Sequence, residues 1–200
     1  MVRSLAVLAS LSLAAAASAS ELANLSPGDA APAFSLPALD GSTVSLSDYA
    51  GKTVVLEWFN PGCPYVVYAH GEGPLRDQAQ RTISDDVVWL AINSGAPGQQ
   101  GHGRQANQDA VQTWSIPHPV LLDENGAVGR SYGARTTPGM VVVSPAGTIA
   151  YVGALDNAPT GNLEGDYVNY VDQAVSDLAA GNDVRLARTR SYGCSVKYGS

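Results

Sequence analysis

Apolar positions along this 200-residue chain fall into a few uninterrupted runs and a few helically spaced sets. Thr53–Phe59 is nearly continuous apolar, which predicts a strand covered on both faces rather than one with a wet side. Val87–Ile92 reads as the next strand. Val120–Leu122 is a short third one, ended by Asp123-Glu124-Asn125-Gly126. Met140–Val143 and Thr148–Val152 flank Ser144-Pro145-Ala146-Gly147, a type I turn signature and hence a hairpin. Ala33–Leu36 and Thr43–Leu46 flank Leu39-Asp40-Gly41-Ser42, a second and shorter hairpin. Cys63–His70 is predicted helical, and Pro74 suits the first turn of another helical piece through Gln80. Ala106, Ala110, Val111 and Trp114 recur at helical spacing. So do Tyr167, Val168, Val171, Ala174, Val175 and Leu178, with Gly181 as the stop. The order is a β-hairpin, βαβαβ, ββα and a tail. This predicts one mixed α/β domain without internal repeats.

The start of the chain changes the picture of where the protein works. Arg3, an apolar run from Leu5 to Leu13 and the small-residue box Ala17-Ser18-Ala19 read as a secretory leader cut after about Ala19. The run is shorter than the ~20 residues a membrane span needs, so an anchor is the weaker alternative. No other segment is apolar enough to span, so the mature chain is expected to carry no membrane span. Residues 20–181 form the expected domain and 182–200 a tail. Cleavage removes one of 11 basic residues and none of the 18 acidic ones, leaving a formal charge of −8. An acidic surface argues against nucleic-acid binding. The tail reverses the sign: residues 185–200 hold Arg185, Arg188, Arg190 and Lys197 and no acid.

The candidate chemistry lies at residues 54–66. An apolar strand ends at Pro61-Gly62, and Cys63 follows on the first turn of a helix. The unpaired N–H groups and positive end of a helix favour thiolate, and thiolate is the nucleophile. Cys63 and Cys194 are the only cysteines. In an oxidising compartment two thiols usually end as one disulfide, static or cycling. Nothing has zinc-site spacing.

The strand, the Asn60-Pro61-Gly62-Cys63-Pro64-Tyr65-Val66 turn, Ala96-Pro97-Gly98-Gln99-Gln100-Gly101, Thr136-Thr137-Pro138 and Gly193-Cys194-Ser195-Val196-Lys197-Tyr198 together resemble the thioredoxin superfamily. More narrowly they resemble its redoxin branch of alkyl hydroperoxide reductase and thiol-specific antioxidant type, and within it peroxiredoxin-like secreted proteins. The resemblance covers about residues 26–200. It implies a thioredoxin fold: a central mixed sheet with flanking helices, an N-terminal β-hairpin extension and a C-terminal tail returning toward the active site.

It also implies roles. Cys63 is the attacking thiolate, Pro64 opens its helix and Tyr65 is a wall of the site. The second cysteine of a thioredoxin motif is replaced by Val66, so Cys194, brought back by the tail, is the expected resolving partner. Pro138 matches the family's cis-proline, and Thr137 before it presents backbone to an incoming substrate. Glu57 matches the buried acid beneath the active site, a proton acceptor whose pKa desolvation should raise. The peroxiredoxin Pro and Thr/Ser positions hold Leu56 and Asn60, with Arg135 the stand-in for the peroxide-stabilising arginine. His70 is expected to cap its helix rather than tune the thiolate, His102 and Arg104 to sit on a loop rim, and His118 to be structural. A Cys/His copper site is a minor alternative.

The reading that follows is an exported thiol–disulfide oxidoreductase, periplasmic or secreted. It acts on a disulfide-containing protein or a small peroxide and is reset by an external dithiol reductant, with no cofactor or metal. Peroxiredoxin-like peroxidase comes second. A non-catalytic binding module that uses the cis-proline groove, stapled by a structural Cys63–Cys194 disulfide, is the alternative from another class.

Overall fold

The computed structural model describes residues 22–163 and 165–199. The leader assigned to residues 1–19 lies outside them. In chain order, a hairpin of β1 (Ser35–Pro37) and β2 (Thr43–Ser45) precedes β3 (Thr53–Trp58) and α1 (Pro64–Gly71). Then come α2 (Gln78–Thr82), β4 (Val87–Asn93), α3 (Arg104–Trp114), β5 (Val120–Leu122) and α4 (Ala127–Ser131). A short β6 (Thr136–Thr137) leads into the hairpin β7 (Gly139–Val143) and β8 (Ile149–Gly153). The chain closes with α5 (Tyr170–Ala179) and β9 (Cys194–Ser195).

The main sheet runs β5-β4-β3-β7-β8. β3 is parallel to β4 and β4 to β5, whereas β7 is antiparallel to both β3 and β8. The missing alternation in β3 has a direct cause, since every one of its residues is buried. Val54, Leu56 and Trp58 pack on one face against Phe34, Leu36 and Val44 of the hairpin region and against Tyr132. On the other face Val55 meets Ala69 of α1, Trp89 of β4 and Val171 of α5. This is the central mixed sheet with flanking helices that the resemblance implies.

Local rules shift some boundaries. α5 begins at Tyr170 rather than Tyr167, because Asn169 caps it: its side chain accepts from the Asp172 N–H at 3.0 Å. Asn169 also bridges to Asp156 in extended form, which keeps Tyr167 and Val168 out of the helix. Helix α4 was not expected. The Asp123 carboxylate accepts from the N–H groups of Val128 and Gly129, supplying the missing partners of a helix start. The piece opened by Pro74 is a 3₁₀ turn over Pro74–Arg76, and α2 starts after it.

Beyond α5 the chain returns across the sheet. Arg188 bridges to Val152 of β8, and β9 pairs antiparallel with β6, Cys194 opposite Thr137. Among the described residues no helix is long and apolar enough to cross a membrane.

Candidate active site

The loop from β3 to α1 is built by its own side chains. Asn60 Oδ1 accepts from the Gly62 N–H at 2.9 Å, an Asx turn. The Cys63 N–H donates to the Asn60 carbonyl at 3.0 Å. Cys63 is then the N-cap of α1, with extended backbone (φ −81°, ψ 123°), and Pro64 occupies the first helical position where no N–H is required. The cysteine is 0 % exposed and packs among Phe59, Val66 and Ala91. Its Sγ lies 3.1 Å from the Thr137 carbonyl oxygen.

That sulfur is bonded to Cys194, 131 residues away, with the two Cα atoms 6.0 Å apart, an ordinary span for a disulfide. The Thr137–Pro138 peptide is cis, as the resemblance implies. Cys194 sits opposite Thr137 in the β6–β9 pair. The backbone edge beside the cis-proline is thus taken by the chain's own tail. Gly193 makes this approach possible: its φ is +122°, and a Cβ there would collide with the Thr137 carbonyl.

Beneath the loop, Glu57 corrects the expectation of a raised pKa. It is 0 % exposed, yet its Oε1 pairs with His70 Nε2 at 2.8 Å and its Oε2 accepts from the Trp89 indole N–H at 3.3 Å. Burial pushes the carboxyl up, but the fields and hydrogen bonds of His70, His118 and Trp89 outweigh it and hold it below the usual value. His70 is correspondingly not a mere helix cap. It is buried, stacked on Trp114 and bound to Glu57. Paired this way, Glu57 is a poor acceptor for protons near neutral pH.

His118, between two prolines, is buried beside Trp89, and among the described residues neither ring nitrogen has a hydrogen-bond partner. Desolvation first, with an opposing pull from Glu57 and a push from His70, brings its pKa down to about 4. A folded-state pKa below the unfolded one means that the unfolded chain binds the extra proton first on acidification. Stability should therefore fall as pH drops from about 6.5 to about 4, by about 3 kcal/mol. Urea unfolding of wild type and His118→Leu across that range checks it: the variant should lose this part of the slope. Glu57, depressed as well, adds its own loss only below its ordinary carboxylate pKa.

The remaining expected site residues fall in two groups. Tyr65 is half-buried and faces Tyr192 of the tail, ring centroids 6.0 Å apart, so it walls the site together with the tail. Pro64 is exposed at the helix start. Arg135 is exposed, and its carbonyl accepts from the Val196 N–H. With Arg188 it lines a cavity of about 130 Å³ floored by Trp58 and Tyr132, between the tail and residues 23–25. Away from the sulfurs, His102 meets Glu124 and Arg104 is pinned on the Ala38 and Leu39 carbonyls. Among the described residues no three His, Cys, Asp or Glu side chains converge on a metal-sized site, so the donor set for a Cys/His copper site is not assembled.

Sequence reasoning missed the tail's anchors. Tyr192 donates to buried Asp156 at 2.7 Å, and Tyr198 donates to the Ala134 carbonyl at 2.8 Å while Arg130 lies 4.5 Å over its ring. The aromatic residues flanking Cys194 were the available signal.

The chain matches the Redoxin family over residues 26–170. It is 46% identical over 123 residues to "Putative peroxiredoxin Rv2521" of Mycobacterium tuberculosis, covering 58% of this chain and 74% of that one. To the thiol-disulfide oxidoreductase ResA of Bacillus subtilis it is 24% identical over 155 residues, 74% of this chain and 77% of that. The crystal structure of a hypothetical protein, SMc02350, from Sinorhizobium meliloti superposes with a TM-score of 0.80 at 24% identity, covering 89% and 97% of the two chains. That last likeness concerns the fold.

Proposed function

We propose, from the premise that this chain belongs to the Redoxin family, that it is a thiol-dependent oxidoreductase whose Cys63 and Cys194 cycle between dithiol and disulfide. The observation that carries this is the bond itself: it joins the N-cap of α1 to the strand facing the cis-proline. Reduced Cys63 attacks an oxidant, and the helix N-terminus favours its anion. Cys194, already opposite Thr137, then attacks the Cys63 adduct and closes the disulfide. An external dithiol restores both thiols. The leader-like pattern of residues 1–19 supports export to a periplasmic or extracellular setting.

Two oxidant classes pass through this scheme. Protein-disulfide exchange is the reaction the sequence pattern favours, and ResA bears a name of that kind. The occupied cis-proline edge favours a small oxidant instead, hydroperoxide included. Against peroxide reduction stand Leu56 at the peroxiredoxin Pro position and Asn60 at the Thr/Ser position, which supplies no hydroxyl and whose amide oxygen is engaged by Gly62. The same occupied edge argues against a binding module that would use that groove.

Stopped-flow oxidation of the reduced protein by hydrogen peroxide and by a protein disulfide separates the two classes. The expected result is faster reaction with peroxide. In the Cys194→Ser variant Cys63 has no second sulfur to close the ring. It should accumulate one oxidised adduct per chain, seen as a single mass increment on the Cys63 peptide. No increment under oxidant would remove Cys194 from the resolving role.

A further inference from the structure

Arg135 and Arg188 share a cavity that the redox cycle does not use. It holds about 130 Å³ and lies between the tail, the loop before β6 and residues 23–25. Its floor is Trp58, Tyr132 and Met140, all three buried. The polar atoms of the two rings are engaged elsewhere. The Trp58 indole N–H donates to Ser94 at 3.2 Å, and the Tyr132 hydroxyl donates to the Pro32 carbonyl at 2.7 Å. The floor side chains therefore offer a ligand apolar surface.

The walls are fixed by the backbone. The Ala23 N–H donates to the Arg130 carbonyl at 2.8 Å, and a Cβ at Gly133 would collide with the Ala23 carbonyl. On the tail side the Val152 N–H donates to the Ala187 carbonyl at 3.0 Å, and a Cβ at Gly153 would collide with Thr189. The Arg188 guanidinium donates to the Leu25 carbonyl and joins one wall to the other. What the cavity lacks is negative charge. Among the described residues no Asp or Glu lines it, and the arginines paired with carboxylates are Arg81 and Arg185. The chain carries 18 acidic residues against 11 Lys and Arg, yet two guanidinium groups meet here without one. Like charges at one cavity repel, and an anion between them removes that cost.

We propose that this cavity binds a small aliphatic monocarboxylate, with its carboxylate on Arg135 and Arg188 and its chain on Trp58. A guanidinium fork matches the two oxygens of a carboxylate and holds them in a fixed plane. The floor selects against a bare inorganic anion, which leaves the apolar surface uncovered. The volume sets the length of the chain. At about 30 Å³ for each water, the cavity takes the equivalent of about four waters, well below the roughly 300 Å³ of a drug-sized site. A chain of butanoate length meets this limit, and a long fatty acyl chain does not. The bound acid ties together three segments distant in sequence: residues 23–25, Arg135 just before β6, and Arg188 of the tail. Neither Cys63 nor Cys194 lines the cavity, so the site stands apart from the sulfur chemistry.

The test titrates the oxidised, isotope-labelled protein with sodium butanoate at constant pH and ionic strength. The readout is the nuclear magnetic resonance signals of the Trp58 indole N–H and of the arginine side-chain N–H groups. Saturable shifts of Trp58, Arg135 and Arg188 at millimolar butanoate are expected, with the other arginines unmoved. Butanol keeps the chain without the charge, and inorganic phosphate keeps the charge without the chain. Each should bind at least about tenfold more weakly, the scale of one charge-assisted hydrogen bond or of a few buried methylenes. Arg135→Gln should weaken butanoate binding by about tenfold as well. The Arg135 side chain is exposed and only its carbonyl holds the tail, so the variant keeps its fold. Several results would overturn the assignment: no saturable shift at Trp58, shifts shared by all arginines, phosphate or butanol binding as tightly as butanoate, or unchanged affinity in Arg135→Gln. Binding by a Glu21→Gln variant but not by wild type would mean that the chain's own Glu21 supplies the carboxylate, and would overturn it too.

Discussion

Replacing Cys63 with serine is expected to reduce turnover of hydrogen peroxide or a small disulfide, with dithiol as the reductant, by about 10³-fold or more, the scale on which loss of a covalent nucleophile acts. A serine hydroxyl at the same N-cap stays protonated at neutral pH and forms no sulfur adduct. Cys194 alone can make a mixed disulfide but has no second protein thiol with which to discharge it, leaving only the slower release by the external dithiol. The variant also lacks the disulfide, so its stability should match that of the reduced protein, while serine, a favoured N-cap residue, keeps the start of α1 intact. Turnover in a coupled assay, read beside a far-ultraviolet circular dichroism spectrum, checks both halves. Full activity in the folded variant would take Cys63 out of the chemistry.

The second large effect is on stability. The Cys63–Cys194 bond closes a loop of 131 residues. In the chain-entropy model, opening such a loop in the unfolded state destabilises the fold by about 5 kcal/mol, on the order of half of a typical domain's stability. Urea unfolding of the oxidised and the reduced protein should differ by an amount approaching that figure. The Cys194→Ser variant should behave like the reduced protein. A difference under about 1 kcal/mol would mean that the tail and the body hold each other in the unfolded state without the bond. The tail's anchors act on the same balance. By keeping the two thiols together they raise the effective concentration of one for the other, and each tenfold gain makes the bond about 30 mV harder to reduce.

Much of this was legible in the residue pattern, and the limits have physical causes. A strand covered on both faces shows itself by its continuous apolar run, so β3 and the turn that delivers Cys63 could be read directly. Pro145-Ala146-Gly147 marked the β7–β8 hairpin, and the αL backbone of Gly181 (φ +72°) ends the last helix region as expected. The short elements could not be read. β6 and β9 have two residues each, too few for any period, and exist only because the tail lies beside the cis-proline. Helix α4 rests on Asp123, a residue that looked like part of a turn. Tyr167 and Val168 fit the periodicity of α5 but are pulled into extended form by the Asp156–Asn169 bridge.

The site shows the same division. Cys63, Thr137, Pro138 and Cys194 do come together. Glu57 is legible as a buried acid, but the direction of its pKa is not, because its partner His70 lies 13 residues on and reaches it only through the packing of α1 on the sheet. Burial alone argues for a raised carboxyl pKa, whereas burial beside two imidazoles and an indole argues for a lowered one. Tyr198 closes the Gly193–Tyr198 motif and Tyr192 lies just before it, but neither residue's anchoring role is legible, because the partners, Asp156 and the Ala134 carbonyl, are distant in sequence.

Whether the two sulfurs cycle or merely staple the chain is decided by the reduction potential of the Cys63–Cys194 pair, measured by equilibrating the protein in graded dithiol–disulfide buffers and counting alkylated thiols. A cycling pair, with one sulfur partly exposed to solvent, should lie above about −300 mV, within reach of dithiol reductants. A value well below that would contradict the account, leaving a permanent cross-link and no catalytic thiol.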